Sequence, residues 1–512
     1  MIFHHTGSKD TYITNKIIGG ERRATTGNVG YASTVDIFKL YGENTLKGTK
    51  GVCSNPAYTD EVSCIANSGT WNVNLTEISR GLFYFDLDTL KTELSSLVDT
   101  ANASLKLRLV IKDIQGTQVA PANFTLRLWA VKEAWDEGIG DNVTTFGNVT
   151  AANWLSRSIG TLWTASDGWI DTSWNAAAVT ASDPPDARTY IATQTFDSGW
   201  EDLDMDITDW VKSYWLATNT DVTANHGFVL KFNTEETDTK SYFVKRFASR
   251  HTRNPFLRPK IVASWENYYL DDRLDFETGA TTEIYLQNYV QDVPSNLAAG
   301  TVTCTLSYGD YSISGTTSGP IELGGKAQAG LYKSAFAAID AADATLSPHL
   351  ITSGSVLLQE EWKLGSNTIF SGSINLKRAL ATSSQMPRDL RFSILDLKSR
   401  YDTSEVPVVR LFVRDRNLAN EPVRIPIELP SQIVQKAYYQ IRDTNSLVTL
   451  IPFSDKKSTP DESTRLSADA NGMFFSFPIS VLPRGRTYTI DIAFYDRGIR
   501  RVYESNQAFR VQ

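Results

Sequence analysis

The sequence predicts an all-β protein built from several β-sandwich domains. Its aromatic residues, 12 Trp, 21 Tyr and 23 Phe against 4 Met, favour the half-buried surface of a sheet. Short segments in which apolar and polar residues alternate recur between turn-rich stretches, a pattern typical of antiparallel sandwiches. Because a chain of 512 residues is too long for one hydrophobic core, we expect three domains.

The first predicted domain covers residues 1–265, and two helices interrupt its strands. One helix begins near Asp88, because leucines follow at the spacing of a single buried helical face. The other begins within DITDWVKSYW, where Thr208 can cap the helix and Ile207 precedes the cap. The strands are predicted in the segments TVDIFKLY, GLFYFDL, SLKLRLVI, FTLRLWAV, GFVLKF and PKIVASW.

Two smaller domains are predicted in the rest of the chain, at 274–379 and 388–512. The first of them alternates strands with Gly- and Ser-rich turns. In the second, DTNS joins a hairpin, and Asn471-Gly472 forms a turn that accepts positive φ. Near its end, LPRGRTYTIDIAF resembles the corner of fibronectin-like and immunoglobulin-like sandwiches, which implies that the Tyr488 hydroxyl bonds to upstream backbone. Both domains are therefore expected to be immunoglobulin-like β-sandwiches.

Charge and motif content argue against several functions. The net charge of -8 provides no basic stripe for a nucleic-acid backbone. No apolar run is long enough to cross a bilayer, and the start of the chain lacks the apolar centre of a secretory signal. The sequence contains no P-loop, dinucleotide fingerprint, Gly-x-Ser-x-Gly elbow or HExxH motif. We therefore expect a non-enzymatic protein that binds no nucleic acid and does not insert into membranes.

Eight short motifs follow one another in the first domain. They are DTYI, NVG, SRGLFYFDL, LKLRL, WDEG, DITDWV, NHGFVLKF and FASRHTRNPFLRPKIVASW. In order and spacing they resemble the DNRLRE-type domain, which implies a jelly-roll-like β-sandwich used as a carbohydrate-binding or adhesive module on bacterial surfaces and in phage particles. The resemblance also implies that Trp135 and Gly138 serve the fold. The chain departs from the family in an insertion over residues 43–76 and in the SRH of residues 249–251, where the family has SRE.

The insertion and the two C-terminal domains also resemble structural proteins of tailed bacteriophages, in which short Cys...Cys...Gly-Thr-Trp inserts decorate fibre and tail proteins. This resemblance implies a virion protein of the tail, baseplate, neck or head decoration that docks on other virion proteins, as a homo- or hetero-oligomer. Such a protein assembles in the host cytoplasm and leaves by lysis. The alternative is a glycan-binding adhesion module that recognises surface polysaccharide.

Tryptophans provide the candidate glycan site. Trp135 and Trp169 lie in an Ala- and Ser-rich region, where exposed rings would stack on sugars and buried rings would fill the sandwich. Around Trp135, the acids Glu133, Asp136 and Glu137 form the arrangement of paired carboxylates beside a stacking ring that a hydrolase uses. The DNRLRE resemblance argues against that hydrolase interpretation.

Three alternating aspartates provide the one candidate cofactor site, for calcium. Asp202, Asp204 and Asp206 would share one face of a strand, where hard oxygen ligands suit that ion. The alternative is a solvated strand face that leads into a helix N-terminus.

Two of the three cysteines, Cys53 and Cys64, lie within the insertion. They are predicted either to form a disulfide with Trp71 packed over it or to remain reduced thiols in a loop. Cys304, inside the strand VTCTLSY, is expected to be an inert core thiol.

Overall fold

Strands dominate the computed structural model, and the fold is all-β, as predicted. The helices among the described residues are few, and none of them is long and apolar enough to cross a membrane. The structure describes residues 1–44, 52–53, 61–69, 71–72, 76–116, 120–147, 151–164, 170–171, 190–217, 222, 224–235, 238–379, 388–417, 431–455, 461–496 and 498–512.

The chain forms two compact units. The N-terminal unit consists of His4–Ser95 and Lys106–Ala263, and the C-terminal unit of Met1–Phe3, Ser96–Leu105 and Ser264–Gln512. The C-terminal unit contains the strands of both the second and the third predicted domains, so the division into three domains stays a prediction.

The N-terminal unit is a β-sandwich with helices at its margins. Its main sheets have the strand orders β1-β18-β9-β15 and β13-β10-β16-β8-β5-β17, and β14 and β2 pair with β10 and β8. The elements are β1 (Ile2–Thr6), β2 (Lys9–Thr14), β3 (Ile17–Ile18), β4 (Arg22–Arg23), β5 (Thr34–Tyr41), β6 (Val52–Cys53), α1 (Glu61–Ala66), β7 (Trp71–Asn72), β8 (Thr76–Tyr84), α2 (Leu87–Leu94), β9 (Lys106–Ile111), β10 (Phe124–Val131), β11 (Ser156–Ser158), β12 (Thr161–Leu162), β13 (Ile170–Asp171), β14 (Ala192–Phe196), β15 (Leu203–Asp206), α3 (Thr208–Leu216), β16 (Phe228–Phe232), β17 (Tyr242–Ala248), a 3-10 helix (Pro255–Leu257) and β18 (Lys260–Ser264).

Both predicted helices are present, and their starts differ from the prediction in one detail. Helix α2 follows Asp86, whose carboxylate accepts a hydrogen bond from the Thr89 backbone N–H at 3.0 Å. Helix α3 has Ile207 at its N-cap, without a side-chain cap. The predicted capping role of Thr208 is wrong, because its hydroxyl accepts a hydrogen bond from the Leu107 N–H of β9 at 2.8 Å.

The C-terminal unit contains two groups of paired sheets. One group has the strand orders β19-β27-β24 and β23-β22-β28-β29, and the other β30-β32-β36-β35 and β31-β38-β37-β33-β34. The elements are β19 (Thr282–Gln287), β20 (Tyr289–Val290), β21 (Val293–Pro294), β22 (Val302–Tyr308), β23 (Tyr311–Ser314), β24 (Thr316–Ser318), β25 (Glu322–Leu323), β26 (Lys326–Ala327), β27 (Leu331–Phe336), α4 (Ser347–Ser353), β28 (Ser355–Leu364), β29 (Asn367–Lys377), β30 (Leu390–Leu395), β31 (Arg400–Tyr401), β32 (Val408–Asp415), β33 (Ala437–Asp443), β34 (Thr449–Ile451), β35 (Ser467–Asp469), β36 (Gly472–Ser476), β37 (Thr487–Asp496), β38 (Ile499–Val511) and two 3-10 helices (Asp272–Leu274 and Ile479–Val481).

The last group of strands contains the predicted corner and turns. The Tyr488 hydroxyl, on a fully buried side chain, donates to the Pro483 carbonyl at 2.7 Å, so the tyrosine corner is confirmed. The DTNS segment joins β33 to β34, and Asp443 accepts hydrogen bonds from two backbone N–H groups of that turn. Gly472 follows Asn471 with a φ of 116°, a conformation that glycine adopts without a steric cost.

A short segment around Asp271 bonds to both groups of strands in the C-terminal unit. Its backbone pairs with β35, because the Asp271 N–H donates to the Ala468 carbonyl at 3.0 Å. Arg273 reaches β28, where its Nη2 lies 2.8 Å from Glu360 Oε1. The Trp362 indole donates to the same oxygen at 2.6 Å, so one buried carboxylate serves two donors.

Candidate functional site

Several of the motifs that suggested the DNRLRE resemblance meet at one place in the N-terminal unit. Glu137 from WDEG binds the Arg250 guanidinium with both carboxylate oxygens, at 2.6 Å from Nε and 2.5 Å from Nη2. Glu137 Oε1 also accepts a hydrogen bond from the Asp10 N–H at 2.9 Å. We call these residues, together with Asn28, the motif cluster.

Asp10 is the most deeply buried acid of the motif cluster, with 2% of its surface exposed. Its Oδ2 accepts a hydrogen bond from the Arg250 backbone N–H at 2.5 Å. Burial raises the pKa of Asp10 to about 7; the Arg250 N–H opposes this rise, and the nearby Glu137 charge adds to it. The Asp10 carboxyl therefore changes protonation near neutral pH within a closed site.

Asn28 joins the loops of the motif cluster through its amide. Its Nδ2 donates to the carbonyls of Glu137 and Ala152, both at 2.9 Å, and its Oδ1 accepts from the Gly140 N–H at 2.9 Å. The loops approach so closely that a Cβ on Gly30 would lie 2.0 Å from the Glu137 carbonyl oxygen. Glycine at that position is thus a steric requirement.

An exposed aromatic ring contacts His251, the residue that follows Arg250 of the motif cluster. Tyr31 is 61% exposed, and its ring centroid lies 4.6 Å from that of His251. His251 Nε2 is 3.5 Å from Glu137 Oε1. Burial lowers the pKa of His251, and the neighbouring Arg250 charge lowers it further.

The acids considered for hydrolysis have other roles in the structure. Glu137 is bonded to Arg250 in the motif cluster, and Glu133 lies 3.6 Å from the Arg157 guanidinium. The Asp136 N–H donates to the Arg157 carbonyl. The contacts of Glu133 and Glu137 hold loops together, and sequence reasoning did not identify Asp10, Tyr31 or His251 as neighbours.

The structure places Trp135 in the core. Its side chain is 3% exposed, and its indole N–H donates to the His226 carbonyl at 3.0 Å. A ring buried to this degree offers no face to a sugar, so the stacking role predicted for Trp135 is corrected to one in packing. Trp169 lies outside the described residues, whereas Trp200 is 44% exposed.

The three aspartates of the calcium hypothesis already have protein partners. Asp204 binds Arg108 at 2.6 Å across the β9–β15 pair, and Asp202 binds Lys112 at 2.6 Å just beyond the end of that pair. Asp206 accepts a hydrogen bond from the Thr208 N–H at 2.9 Å. Within the described part of the chain, no group of three or more His, Cys, Asp or Glu side chains could hold a metal ion.

The cysteines divide into a bonded and a free form. Cys64 takes part in a disulfide, while the side chain of Cys53, its predicted partner, lies outside the described residues. Cys304 is a free and fully buried thiol, and burial raises its pKa above the ordinary range.

Comparison with known proteins gives no family. No family model matches the chain, and no curated protein matches it. Among solved structures, a titin fragment is 7% identical and covers 48% of this chain and 95% of its own, with a TM-score of 0.15. A DUF4785 family protein from Legionella pneumophila is 10% identical over 79% of this chain and 82% of its own, and a mutant α-2-macroglobulin from Salmonella is 9% identical over 98% and 28%, each with a TM-score of 0.15. At this TM-score the similarities carry no argument about the chain.

Proposed function

We propose that the chain is a non-enzymatic structural component of a tailed-bacteriophage virion, and that it acts by docking its β-sandwiches on neighbouring proteins. The observation that carries the docking role is an exposed apolar hairpin in the C-terminal unit. Its residues Tyr289, Val290 and Val293 are 58%, 56% and 61% exposed. Apolar side chains that are grouped and exposed in this way mark interaction surfaces.

The hairpin also has a well-defined turn. Strands β20 and β21 pair directly, and the two turn residues, Gln291 and Asp292, have φ values of 52° and 63°. Two successive positive φ values are typical of a type I′ turn, whose twist matches that of the flanking strands. A rigid apolar element loses little conformational entropy when a partner covers it.

The virion setting rests on the resemblance of the insertion and the C-terminal sandwiches to tailed-phage structural proteins. The motif cluster supports a role without catalysis, because its Glu137 and Arg250 charges neutralise each other and its loops are locked by Asn28. The proposed protein therefore supplies surfaces, and its partners are other virion proteins.

Mass spectrometry of purified particles tests this proposal. Phage particles are banded on a density gradient and washed in high salt, and the chain is quantified in the band and in the particle-free fraction. We expect the chain in the band at a fixed ratio to the other virion proteins. Its presence in the particle-free fraction alone would overturn the virion role.

A matched pair of variants tests the hairpin. Val290→Lys should reduce incorporation into particles, because a charge would be buried at the docking surface. Ile351→Lys is the control, since Ile351 lies on α4 of the same unit and is 64% exposed. Equal incorporation of both variants would exclude the hairpin as the docking element.

The exposed ring of Tyr31 favours a second candidate function, recognition of surface polysaccharide. An aromatic face beside the polar groups of Arg250 and His251 has the chemistry that binds a sugar ring. A glycan array with the wild type and Tyr31→Ala tests it, with Tyr41→Ala as the control because Tyr41 is also exposed. Binding that Tyr31→Ala abolishes would support the glycan role, and a wild type that binds nothing would exclude it.

A further inference from the structure

In the first group of sheets in the C-terminal unit, two edge strands, β19 and β29, differ in how their outward backbone groups are hydrogen-bonded. At strand β19, the backbone N–H groups of Glu283 and Tyr285 donate to the carboxylates of Asp272 and Asp271, at 2.8 and 3.2 Å. These N–H groups would otherwise be free to bond another strand. The aspartates therefore cap this edge, a protection that sheets need against pairing with other chains.

Strand β29 is the outermost strand of the other sheet, and it pairs with β28. Among the described residues its outer side is covered at its end, where the Lys377 N–H donates to the Phe276 carbonyl and the Lys377 carbonyl accepts from the Thr278 N–H. In the part of the chain that the structure describes, no hydrogen bond reaches the outer backbone side of residues 368–375. The ladder has an irregularity between Trp362 and Lys363, so the regular open stretch begins at Phe370.

The open edge is also uncharged. Residues 367–376 read NTIFSGSINL, without an acid or a base. Ile369 and Phe370 are 36% and 38% exposed. Sheets commonly protect a free edge with lysine or other charged side chains, and this edge has none.

We propose that β29 pairs antiparallel with β29 of a second copy of the chain across a twofold axis, so that two four-stranded sheets become continuous. The inference rests on the proposed docking function and names one partner of the C-terminal unit. In a twofold antiparallel pair the residue at the axis faces its own copy, so a charge there would meet a like charge. The absence of charge on residues 367–376 fits this self-pairing and distinguishes it from pairing with a charged foreign peptide.

The side chains suit a register centred on Ser371. In that register Phe370 of each copy lies opposite Gly372 of the other. Within one copy, the Phe370 ring already lies against Gly372, 3.0 Å from the position a Cβ would take. The aromatic ring thus covers the glycine on its own strand and can cover the facing glycine as well.

Charge-swapped variants at the centre of the pair test the proposal. Ser371 is exposed, so Ser371→Lys and Ser371→Glu should leave the fold intact. Light scattering after size exclusion, loaded on the order of 100 μM chain, should show a dimer for the wild type and a monomer for each variant alone. Mixing the two variants should restore the dimer, because opposite charges then meet across the axis.

Ser312→Lys is the matched control, since Ser312 is exposed on β23, the opposite edge of the same sheet. It should remain dimeric. A monomeric wild type, a dimer that survives Ser371→Lys, or a dimer that Ser312→Lys breaks would each overturn the pairing. A chain that is monomeric in solution but present in purified particles would refute the pairing alone and leave the proposed virion role standing.

Discussion

Each unit contains an ion pair that holds chain segments together: Glu137–Arg250 in the N-terminal unit and Glu360–Arg273 in the C-terminal unit. The two pairs differ in how exposed their side chains are to solvent. Glu137 uses both oxygens on Arg250, with side chains 13% and 33% exposed. Glu360 is 1% exposed and uses one oxygen for both Arg273 and the Trp362 indole. Because burial makes the loss of a charged partner more costly, we expect solvent access, rather than the number of hydrogen bonds, to decide what the loss of each carboxylate costs.

Removing Glu360 should have the largest effect. Glu360→Ala removes the acceptor of the Trp362 indole N–H in a buried site and the nearest carboxylate of Arg273, which keeps Asp271 at 3.8 Å and the Tyr285 carbonyl at 3.0 Å. We expect a loss of about 3–5 kcal/mol in the free energy of unfolding, measured by chemical denaturation of the full chain. Glu361→Ala is the control, because the Glu361 side chain is 35% exposed and pairs with Lys363 at the surface; equal destabilisation by the two variants would contradict the expected role of burial.

The buried acid of the motif cluster should produce a pH effect of similar size. The pKa of Asp10 is raised from 3.8 to about 7 in the folded chain. Folding therefore binds a proton between these values, and the stability contributed by the neutral carboxyl is full below about pH 4 and lost as the pH rises through about 7. Asp10→Asn keeps a neutral acceptor for the Arg250 N–H and should lack this loss.

Unfolding of the wild type and of Asp10→Asn, compared from pH 4 to pH 8, measures the Asp10 contribution. The variant should gain relative to the wild type as the pH rises, by up to about 4 kcal/mol for three pKa units. Other titrating groups are common to both proteins, so the difference between them isolates Asp10. A difference that does not vary with pH would show that the carboxyl is charged throughout.

Glu137→Ala should cost less than Glu360→Ala, although Glu137 makes more contacts. Solvent can reach Arg250 after the change, so we expect a loss of about 1.5–3 kcal/mol. Asp141→Ala, at an exposed acid of the same loop, should change little. If Glu137→Ala reduced the free energy of unfolding as much as Glu360→Ala, the number of contacts would matter more than burial, contrary to our expectation.

The strands could be predicted from the sequence, but the two ion pairs that join distant segments could not. The motifs with Asp10, Asn28 and Glu137 are visible in the sequence, but their meeting depends on loops that lie far apart along the chain. The burial of Glu360 could have been predicted from the sequence. Glu360 lies two residues from both Leu358 and Trp362 in VLLQEEWKL, so the three side chains point to the same buried face of the strand. The adjacent Glu361 hides this signal by making the stretch look like a solvated face.

Contacts between distant segments also explain what the sequence did not predict about Asp204, Asp206 and Trp135. Strand alternation correctly set Asp204 and Asp206 on the exposed face of β15, yet their surroundings depend on β9, which a local pattern does not bring near. Trp135 was visible as a large ring, but its burial comes from packing against residues of distant strands, such as Ile13, Leu82 and Val229. Local patterns determine which face a side chain occupies, and tertiary pairing determines what it meets there.

The exposed pair of Asp204 and Arg108 should give the smallest effect and set the lower end of the scale. Their side chains are 38% and 42% exposed, so Asp204→Asn should change the free energy of unfolding by less than about 1 kcal/mol. A separate thermal unfolding experiment, with added calcium or with a chelator, tests the metal hypothesis. Because Lys112 and Arg108 already neutralise this face, we expect equal melting temperatures. A calcium-dependent rise that Asp204→Asn removes would instead establish a cation site and show that the ion displaces these exposed partners.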